Sequence, residues 1–299
     1  MNMRFLGTGA ADIGVPDTCP CANCAAVRAA GGRSRRTYSS LLLDHSTLID
    51  CGPTVPEQLT RLGNEGTTVV HLLMTHLHED HAGSAAITEL CRRAQQRGRT
   101  LTLWGGREAG RHVRDAVDAS IPLSLGALQP FENVTVGDWQ VTPLPARHMD
   151  DHPEAFVYLL SRNGRLLLYA CDTGPLLDAT VAHLRHCRLA AVVMEATFGL
   201  KSESDGIADL RKNHLNFPLA VAERGRLMDQ GTVGPDTPWY ATHLSLHHCP
   251  PHDESAAWLA RHGLRLAWDG LRWSQQAAAP PDPRSSLGAE TVDTAASPG

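Results

Sequence analysis

The feature that most constrains the fold of this chain is a cluster of metal-binding side chains directly after an apolar run. Val69–Met74 is rich in aliphatic and β-branched residues and predicts a buried strand. His76, His78, Asp80 and His81 follow it at once. A loop at a strand end can turn several side chains towards one point, as a chelating site requires. Imidazole and carboxylate together favour zinc, manganese or iron over calcium or magnesium, so the sequence predicts a site for such a metal.

Predicted strands occur in both halves of the chain, with helices between them. This distribution predicts an α/β fold, built as a sandwich of two sheets covered by helices. The predicted strands lie at 4–6, 40–44, 47–50, 69–74, 101–104, 134–141, 156–160, 166–169, 191–194 and 239–242. The predicted helices lie at 54–62, 82–96, 108–119, 176–184, 214–228 and 254–261.

Length and composition bear on the number of domains. With 299 residues and 42% hydrophobic content, the chain can bury one large core or two small ones. After Trp273 the sequence turns to Gln, Ala, Pro, Ser and Asp and offers almost nothing to bury. We therefore predict one folded domain over residues 1–273 and a disordered tail over 274–299.

The charge argues against a protein that binds nucleic acid. The formal net charge is −5, whereas a surface for nucleic acid must be basic to neutralise phosphates. A local basic pocket is still compatible with this balance.

No apolar run reaches the length of about 18 residues needed for a membrane span, and the N-terminus does not resemble a secretion signal. We expect a cytoplasmic protein with a small-molecule substrate and no membrane partner.

Three of the 8 cysteines form a tight cluster near the start of the chain. They are Cys19, Cys21 and Cys24. In a reducing compartment this spacing indicates a metal site rather than disulfides, and three buried free thiols are the alternative interpretation.

The pattern His-x-His-x-Asp-His after a strand resembles the hallmark of the metallo-β-lactamase superfamily. The resemblance implies an αββα sandwich of two mixed sheets flanked by helices, with two divalent metals, manganese or zinc. Members complete the site with a lone histidine, a bridging aspartate and a final histidine, each at a strand end. The implied ligands are His76, His78 and His148 for one metal, Asp80, His81 and His243 for the other, and Asp172 between them. Two such metals can share a hydroxide of lowered pKa and stabilise the oxygens of an in-line displacement at phosphorus.

Further segments resemble the PhnP family, the phosphoribosyl cyclic phosphodiesterases of phosphonate breakdown. They are Leu6–Gly9, Pro16–Cys24, Arg35–Ser40, Leu48–Gly52, Asn213–His214 and Thr242–Ser245. The resemblance covers nearly all of residues 3–270. It implies hydrolysis of a small cyclic phosphodiester such as 5-phosphoribosyl 1,2-cyclic phosphate, and a homodimer, which is frequent in that family.

The same resemblance assigns the cysteine cluster to one structural zinc. The PhnP and PqqB families both have such a cluster near the N-terminus. The fourth zinc ligand of the PhnP family falls here on Leu246, so the chain departs from that pattern. A loop one residue longer could present His247, which we favour, and His248 is the alternative. A closed site of three cysteines and one histidine leaves no position for a substrate.

The resemblance also implies catalytic and substrate-binding residues. His214 falls where the PhnP family carries a catalytic histidine, at a predicted helix start. It would act as a general acid or neutralise charge on the phosphoryl group, and simple helix-start polarity is the alternative. Asp80 is the second predicted catalytic residue. Arg35 and Arg36 would reach a substrate phosphate or else belong to a solvated loop.

Two other families share parts of this pattern. Glu195–Phe198 resembles the Glu-Ala-Thr-Phe motif of tRNA 3′-processing endonucleases, but the acidic charge and the cysteine cluster argue against that activity. The PqqB family implies an oxidoreductase or an accessory protein, but its members depart from the full ligand set present here. A β-lactamase or a thioesterase would explain neither the cysteine cluster nor Asn213–His214.

Overall fold

The computed structural model describes residues 1–63, 68–149 and 154–274. The strands are β1 Asn2–Gly7, β2 Ser40–Leu42, β3 Thr47–Ile49, β4 His71–Leu73, β5 Leu101–Gly105, β6 Leu123–Ala127, β7 Val134–Val136, β8 Trp139–Pro145, β9 Phe156–Arg162, β10 Arg165–Ala170, β11 Leu189–Glu195, β12 Trp239–Thr242, β13 Arg265–Leu266 and β14 Arg272–Ser274. The helices are α1 Val15–Thr18, α2 Ala22–Ala30, α3 Val55–Arg61, α4 Ser84–Gln95, α5 Arg107–Ala116, α6 Asp178–Leu184, α7 Phe217–Asp229 and α8 His252–Arg261.

These strands form two mixed sheets of seven strands each. The strand order is β14-β1-β2-β3-β4-β5-β6 in the first sheet and β13-β12-β11-β10-β9-β8-β7 in the second. Strands β3 to β6 are parallel, as are β10 to β13, and the remaining pairs are antiparallel. Parallel strands end at one edge of a sheet, so the loops that follow them lie close together.

The alternation of side chains along β10 shows how the layers are built. Leu167 and Tyr169 point into a core between the two sheets, whereas Leu166, Leu168 and Ala170 face the helices α6, α7 and α8. A third core lies between the first sheet and helices α3, α4 and α5. Helices therefore cover both outer faces, and the predicted αββα sandwich is confirmed.

Some predicted strands differ from the observed ones. The single strand predicted over 134–141 is a hairpin of β7 and β8, because Gly137 turns the chain with a φ of +56°. Strands β6, β13 and β14 escape prediction because they are short or lie at sheet edges. Of the tail predicted over 274–299, only Ser274 is described, and it ends β14.

The helix predicted to begin at His214 begins three residues later, at Phe217. The Asn216 side chain caps it by accepting a hydrogen bond from the Leu219 N–H at 2.9 Å. Pro218 stands in the first turn, where a missing N–H costs nothing. His214 therefore lies in the loop before α7, which corrects its predicted helix-start position. Among the described residues, no helix is long and apolar enough to cross a membrane.

Candidate metal centre

The predicted ligands meet in a cleft where β4, β8, β10 and β12 end. The loop after β4 carries His76 to His81, and His148, Asp172 and His243 follow the other three strands. The cleft has a volume of about 290 Å³. Because β4 belongs to one sheet and the other three strands to the second, the packing of the two sheets brings the ligands together.

Three histidines surround one side of Asp172. The ligand atoms of His76, His78 and His148 and a carboxylate oxygen of Asp172 all lie within 4.8 Å of one another. The His148 Nε2 atom is 3.1 Å from His78 Nδ1, and His76 Nε2 is 3.4 Å from Asp172 Oδ2. Two nitrogen ligands of a tetrahedral zinc lie roughly 3.3 Å apart, given Zn–N bonds of about 2.0 Å, so this spacing fits a metal.

The opposite side of the same carboxylate faces His81, His243 and Asp80. His81 Nε2 is 3.2 Å from His243 Nε2 and 3.3 Å from Asp80 Oδ2. The Asp172 Oδ2 atom lies 3.2 Å from His81 Nε2 and 3.5 Å from His148 Nε2, so the two groups share it. This is the position that a bridging ligand requires.

The protonation of these groups also fits a divalent cation. Burial, with a further effect of His81, holds the pKa of His76 well below its usual value, so this imidazole is neutral. Its buried Nε2 accepts no hydrogen bond from any described residue. Burial alone would lower the pKa of His243, but Asp172 outweighs burial and raises this pKa to about 10. The carboxylates therefore attract positive charge, which a metal would supply in place of a proton.

Groups outside the ligand set orient the imidazoles. His81 Nδ1 donates to Asp50 Oδ2 at 2.9 Å, and His148 Nδ1 donates to the carbonyl oxygen of Asn213 at 3.0 Å. Each contact fixes the tautomer and leaves Nε2 for a metal. Sequence reasoning misses Asp50, although its position directly after a strand, like that of Asp172, is a signal that could identify it.

Three residues of the centre have a left-handed backbone conformation. Asp50, Asp172 and His243 have φ angles of 60°, 56° and 55°. Residues with a Cβ atom rarely adopt these angles, and they persist where the surrounding structure enforces them, often at functional sites. The chain turns sharply at each of these strand ends.

A histidine–glutamate pair lies beside the ligands. His214 Nδ1 donates to Glu195 Oε1 at 2.9 Å, and the His214 ring stacks on the His243 ring with centroids 5.8 Å apart. Glu195 is fully buried and also accepts from the Thr173 and Leu215 N–H groups at 2.8 and 3.0 Å. Burial alone would lower the pKa of His214, but the charge of Glu195 outweighs it and raises this pKa. Sequence reasoning notes Glu195 in a motif but does not pair it with His214.

The structure does not bring Arg35 and Arg36 to the cleft. Arg36 is buried and donates to Thr8 Oγ1 at 2.6 Å and to the Ala267 carbonyl oxygen at 2.8 Å. Arg35 forms an exposed ion pair with Asp17. No arginine or lysine is among the described residues that line the cleft. The prediction that these two arginines bind a substrate phosphate there is therefore corrected, because their donors are directed elsewhere.

The cysteine cluster forms a second, separate group. Cys19, Cys21, Cys24 and His247 place their ligand atoms within 4.8 Å of one another. Cys24 Sγ is 3.2 Å from His247 Nδ1, and Cys21 Sγ is 4.0 Å from it. His248 lines the cleft instead. The structure thus selects His247 over His248 as the fourth member of this group.

Two side chains hold the His247 segment against the cysteine cluster. Asn23 Nδ2 donates to the carbonyl oxygens of His247 and Cys249 at 3.0 and 2.9 Å. Asp12 Oδ2 accepts from the His247 N–H at 3.1 Å. Burial, with hydrogen bonds that the Cys24 thiol donates to the neighbouring cysteine sulfurs, raises the pKa of Cys24 to about 12, so a metal would be needed to keep it as a thiolate.

Comparison with known families gives one match. The family described as the beta-lactamase superfamily domain matches residues 45–231, more than half of the chain. No curated protein sequence matches.

Several solved structures share the fold. A diphosphatase from the PhnP family has a TM-score of 0.71 at 22% identity, over 92% of this chain and 98% of that one. Zn²⁺-bound PqqB from Methylobacterium extorquens has a TM-score of 0.72 at 18% identity, over 92% and 100%. The short form of human tRNase Z has a TM-score of 0.63 at 17% identity, over 92% and 99%. At these identities the likeness establishes the fold alone.

Proposed function

Because this chain belongs to the β-lactamase superfamily, we propose that it is a metal-dependent phosphodiesterase that hydrolyses a small cyclic phosphodiester. The observation that carries the proposal is the environment of Asp172. One of its carboxylate oxygens is shared by two groups of imidazoles, and His214 lies beside them. This arrangement suits displacement at phosphorus, where charge must be neutralised on several oxygens at once.

The metals would be divalent, manganese or zinc, and would be held by seven side chains. These are His76, His78 and His148, then Asp80, His81 and His243, with Asp172 between. When bound, such a pair supplies an activated water nucleophile at neutral pH and offsets charge on the phosphoryl oxygens. Asp50 and the Asn213 carbonyl hold the imidazoles in the tautomer that this role requires.

His214 would serve as the general acid. Its Nδ1–H is directed at Glu195 Oε1, so the Nε2–H remains for the leaving oxygen of the substrate. Glu195 fixes the ring and stabilises its protonated form. When a cyclic diester opens, the leaving oxygen stays on the sugar, and a proton from His214 converts it to a hydroxyl group.

The size and charge of the cleft support a small substrate over RNA. Its volume is about 290 Å³, and Asp12 and Asp209 are among its lining residues, with no described arginine or lysine. An RNA strand would need repeated cationic contacts along its phosphates. A small diester presents one reacting phosphate, which metals and His214 can neutralise.

A PhnP-like substrate, 5-phosphoribosyl 1,2-cyclic phosphate, is supported by the combination of the cleft with the cysteine cluster. The cluster and the assembled ligand set are two of the features that the sequence shares with that family. The PhnP-family protein of similar fold is a diphosphatase, so a diphosphate is a competing substrate.

A tRNA 3′-processing endonuclease is the second candidate. Glu195–Phe198 resembles the motif of that family, and human tRNase Z has a similar fold. The absence of described cations in the cleft lining weighs against it. A PqqB-like oxidoreductase or accessory protein shares the fold and the cysteine cluster, but the full set of ligands in the cleft weighs against it.

A substrate panel tests the proposal. Full-length protein loaded with Mn²⁺ or Zn²⁺ is assayed with 5-phosphoribosyl 1,2-cyclic phosphate, 2′,3′-cyclic nucleotides, bis(p-nitrophenyl) phosphate, a diphosphate, nitrocefin and precursor tRNA. We expect the highest kcat/KM for a cyclic diester, and none of this activity in a His76→Ala preparation. Efficient cleavage of precursor tRNA without turnover of small diesters would contradict the proposal, and so would activity on the diphosphate alone.

A further inference from the structure

A second cavity, separate from the metal cleft, has four arginines among its lining residues. Its volume is about 400 Å³, and it shares no described lining residue with the cleft. The walls come from β1, the segment before β2, helix α3 and the turn before β14. The charged lining residues are Arg4, Arg35, Arg36, Arg61 and Asp269.

Arg36 is a buried cation in this wall, with 6% of its surface exposed. It donates to Thr8 Oγ1, to the Ala267 carbonyl oxygen and, at 3.2 Å, to His252 Nδ1. Burial and the charge of Arg36 lower the pKa of His252 to about 4, so all three acceptors are neutral. These contacts use three of the five N–H donors of a guanidinium and leave two. Burial of this cation is costly, and the attraction of the Asp269 carboxylate only partly compensates it, so an anion would stabilise it.

The carboxylate in the wall is already engaged by neutral donors. Asp269 accepts from Thr8 Oγ1 and the Thr37 N–H, each at 2.7 Å, and from Thr37 Oγ1 at 2.8 Å. Its charge still attracts Arg36, but burial outweighs this attraction and lowers the pKa of the Arg36 guanidinium. The lining as a whole has four arginines against this single acid, in a chain whose net charge is −5.

Arg35 and Arg61 lie at the exposed rim of the cavity. Arg35 pairs with Asp17, and Arg61 pairs with Glu57 four residues before it. Exposed ion pairs are weak and exchange partners readily. Both guanidiniums can therefore turn towards a ligand that offers a denser negative charge.

We propose that this arginine-lined cavity binds a small anion that carries phosphate groups, at a site distinct from the catalytic cleft. Guanidinium groups match phosphate oxygens with paired hydrogen bonds, and several of them together favour a diphosphate or a sugar phosphate. The cavity volume is in the range of small-molecule sites, so the ligand is a metabolite and not a macromolecule.

Calorimetric titration of the full-length protein with inorganic pyrophosphate tests this site. Because pyrophosphate could also bind metals in the cleft, a His76→Ala variant is titrated in parallel. The cavity variant is Arg35→Ala with Arg61→Ala, two exposed positions whose loss leaves the core intact. Its matched control is Arg97→Ala with Arg111→Ala, which removes two exposed arginines elsewhere.

We expect binding to persist in the His76→Ala protein and in the matched control, and to weaken about tenfold or more in the cavity variant. Binding that disappears in His76→Ala but survives in the cavity variant would overturn the proposal, because it would assign the anion to the cleft. Equal weakening in both arginine variants would overturn it too, since net charge alone would then explain the result. A titration with ribose 5-phosphate separates the ligand sources: tighter binding than pyrophosphate indicates a sugar phosphate.

Discussion

The two candidate metal groups differ in how much of their geometry the fold provides. In the cleft, the ligands follow strands of both sheets, and two imidazoles are oriented by the hydrogen bonds that they donate to Asp50 and to the Asn213 carbonyl. In the cysteine cluster, the three thiols lie between the end of α1 and the first turn of α2. The fourth member, His247, is 223 positions after Cys24 in the chain. The fold therefore shapes the cleft by itself, whereas a zinc would reinforce the hydrogen bonds by which Asn23 and Asp12 hold the N-terminal segment to the loop after β12.

The cleft and the cysteine cluster also differ in the chemistry of their ligands. Imidazoles and carboxylates in the cleft suit metals that exchange and leave room for a substrate. Thiolates favour zinc strongly, and four protein ligands close the coordination sphere. Loss of metal from the cleft should therefore cost activity, and loss of metal from the cluster should cost stability.

The largest expected effect comes from Asp172→Ala. This change removes the carboxylate shared by both halves of the cleft, so both metals should be lost. We expect kcat/KM for a cyclic diester to fall by more than about a hundredfold, which is the upper range for loss of an outer hydrogen-bond partner alone. Metal analysis and steady-state kinetics measure the two effects. Asp178→Ala, at a fully exposed carboxylate, is the matched control, and two metals retained in the Asp172 variant would refute the bridging role.

His214→Ala separates chemistry from metal binding within the cleft. All metals should remain, while turnover falls by about a hundred- to ten-thousand-fold if the imidazole is the general acid. The loss should be smaller for bis(p-nitrophenyl) phosphate, because p-nitrophenolate leaves without a proton. Equal losses for good and poor leaving groups would indicate that His214 positions the substrate instead. Loss of metal from the His214→Ala variant would indicate that His214 is itself a metal ligand.

Cys21→Ser tests whether the cysteine cluster binds a structural zinc. We expect about one zinc fewer per chain, with the cleft metals still present. A loss of about 2 kcal/mol in the free energy of unfolding would lower the Tm by roughly 4–8 °C in a domain of this size. Calorimetry and metal analysis give both numbers, with Cys187→Ser as a control at a half-buried thiol outside the cluster. An unchanged zinc content would show that the thiols bind no metal.

The smallest effect distinguishes two adjacent histidines. His247→Ala should release the same zinc as Cys21→Ser, whereas His248→Ala should retain it and change KM only slightly, since His248 lines the cleft. Metal analysis of the two variants decides the matter. Zinc lost from the His248 variant and kept in the His247 variant would reverse the assignment.

The cluster from His76 to His81 could be predicted because it follows an apolar strand directly, and the resemblance to the metallo-β-lactamase superfamily implied His148, Asp172 and His243 at later strand ends. The roles of Asp50 and Glu195 depend on contacts with His81 and His214 that only the folded sheets create. Arg36 shows the limit most clearly. Its side chain is buried against Ala267 and His252, more than 200 positions away, and nothing near it in sequence indicates this.

Anomalous X-ray scattering from crystals of Mn²⁺-loaded protein tests most directly whether one chain holds two different metal groups. Data collected on both sides of the manganese and zinc absorption edges locate each element separately. We expect two manganese peaks, one on each side of Asp172, and one zinc peak among Cys19, Cys21, Cys24 and His247. A single peak in the cleft, or no zinc among the cysteines, would contradict this account.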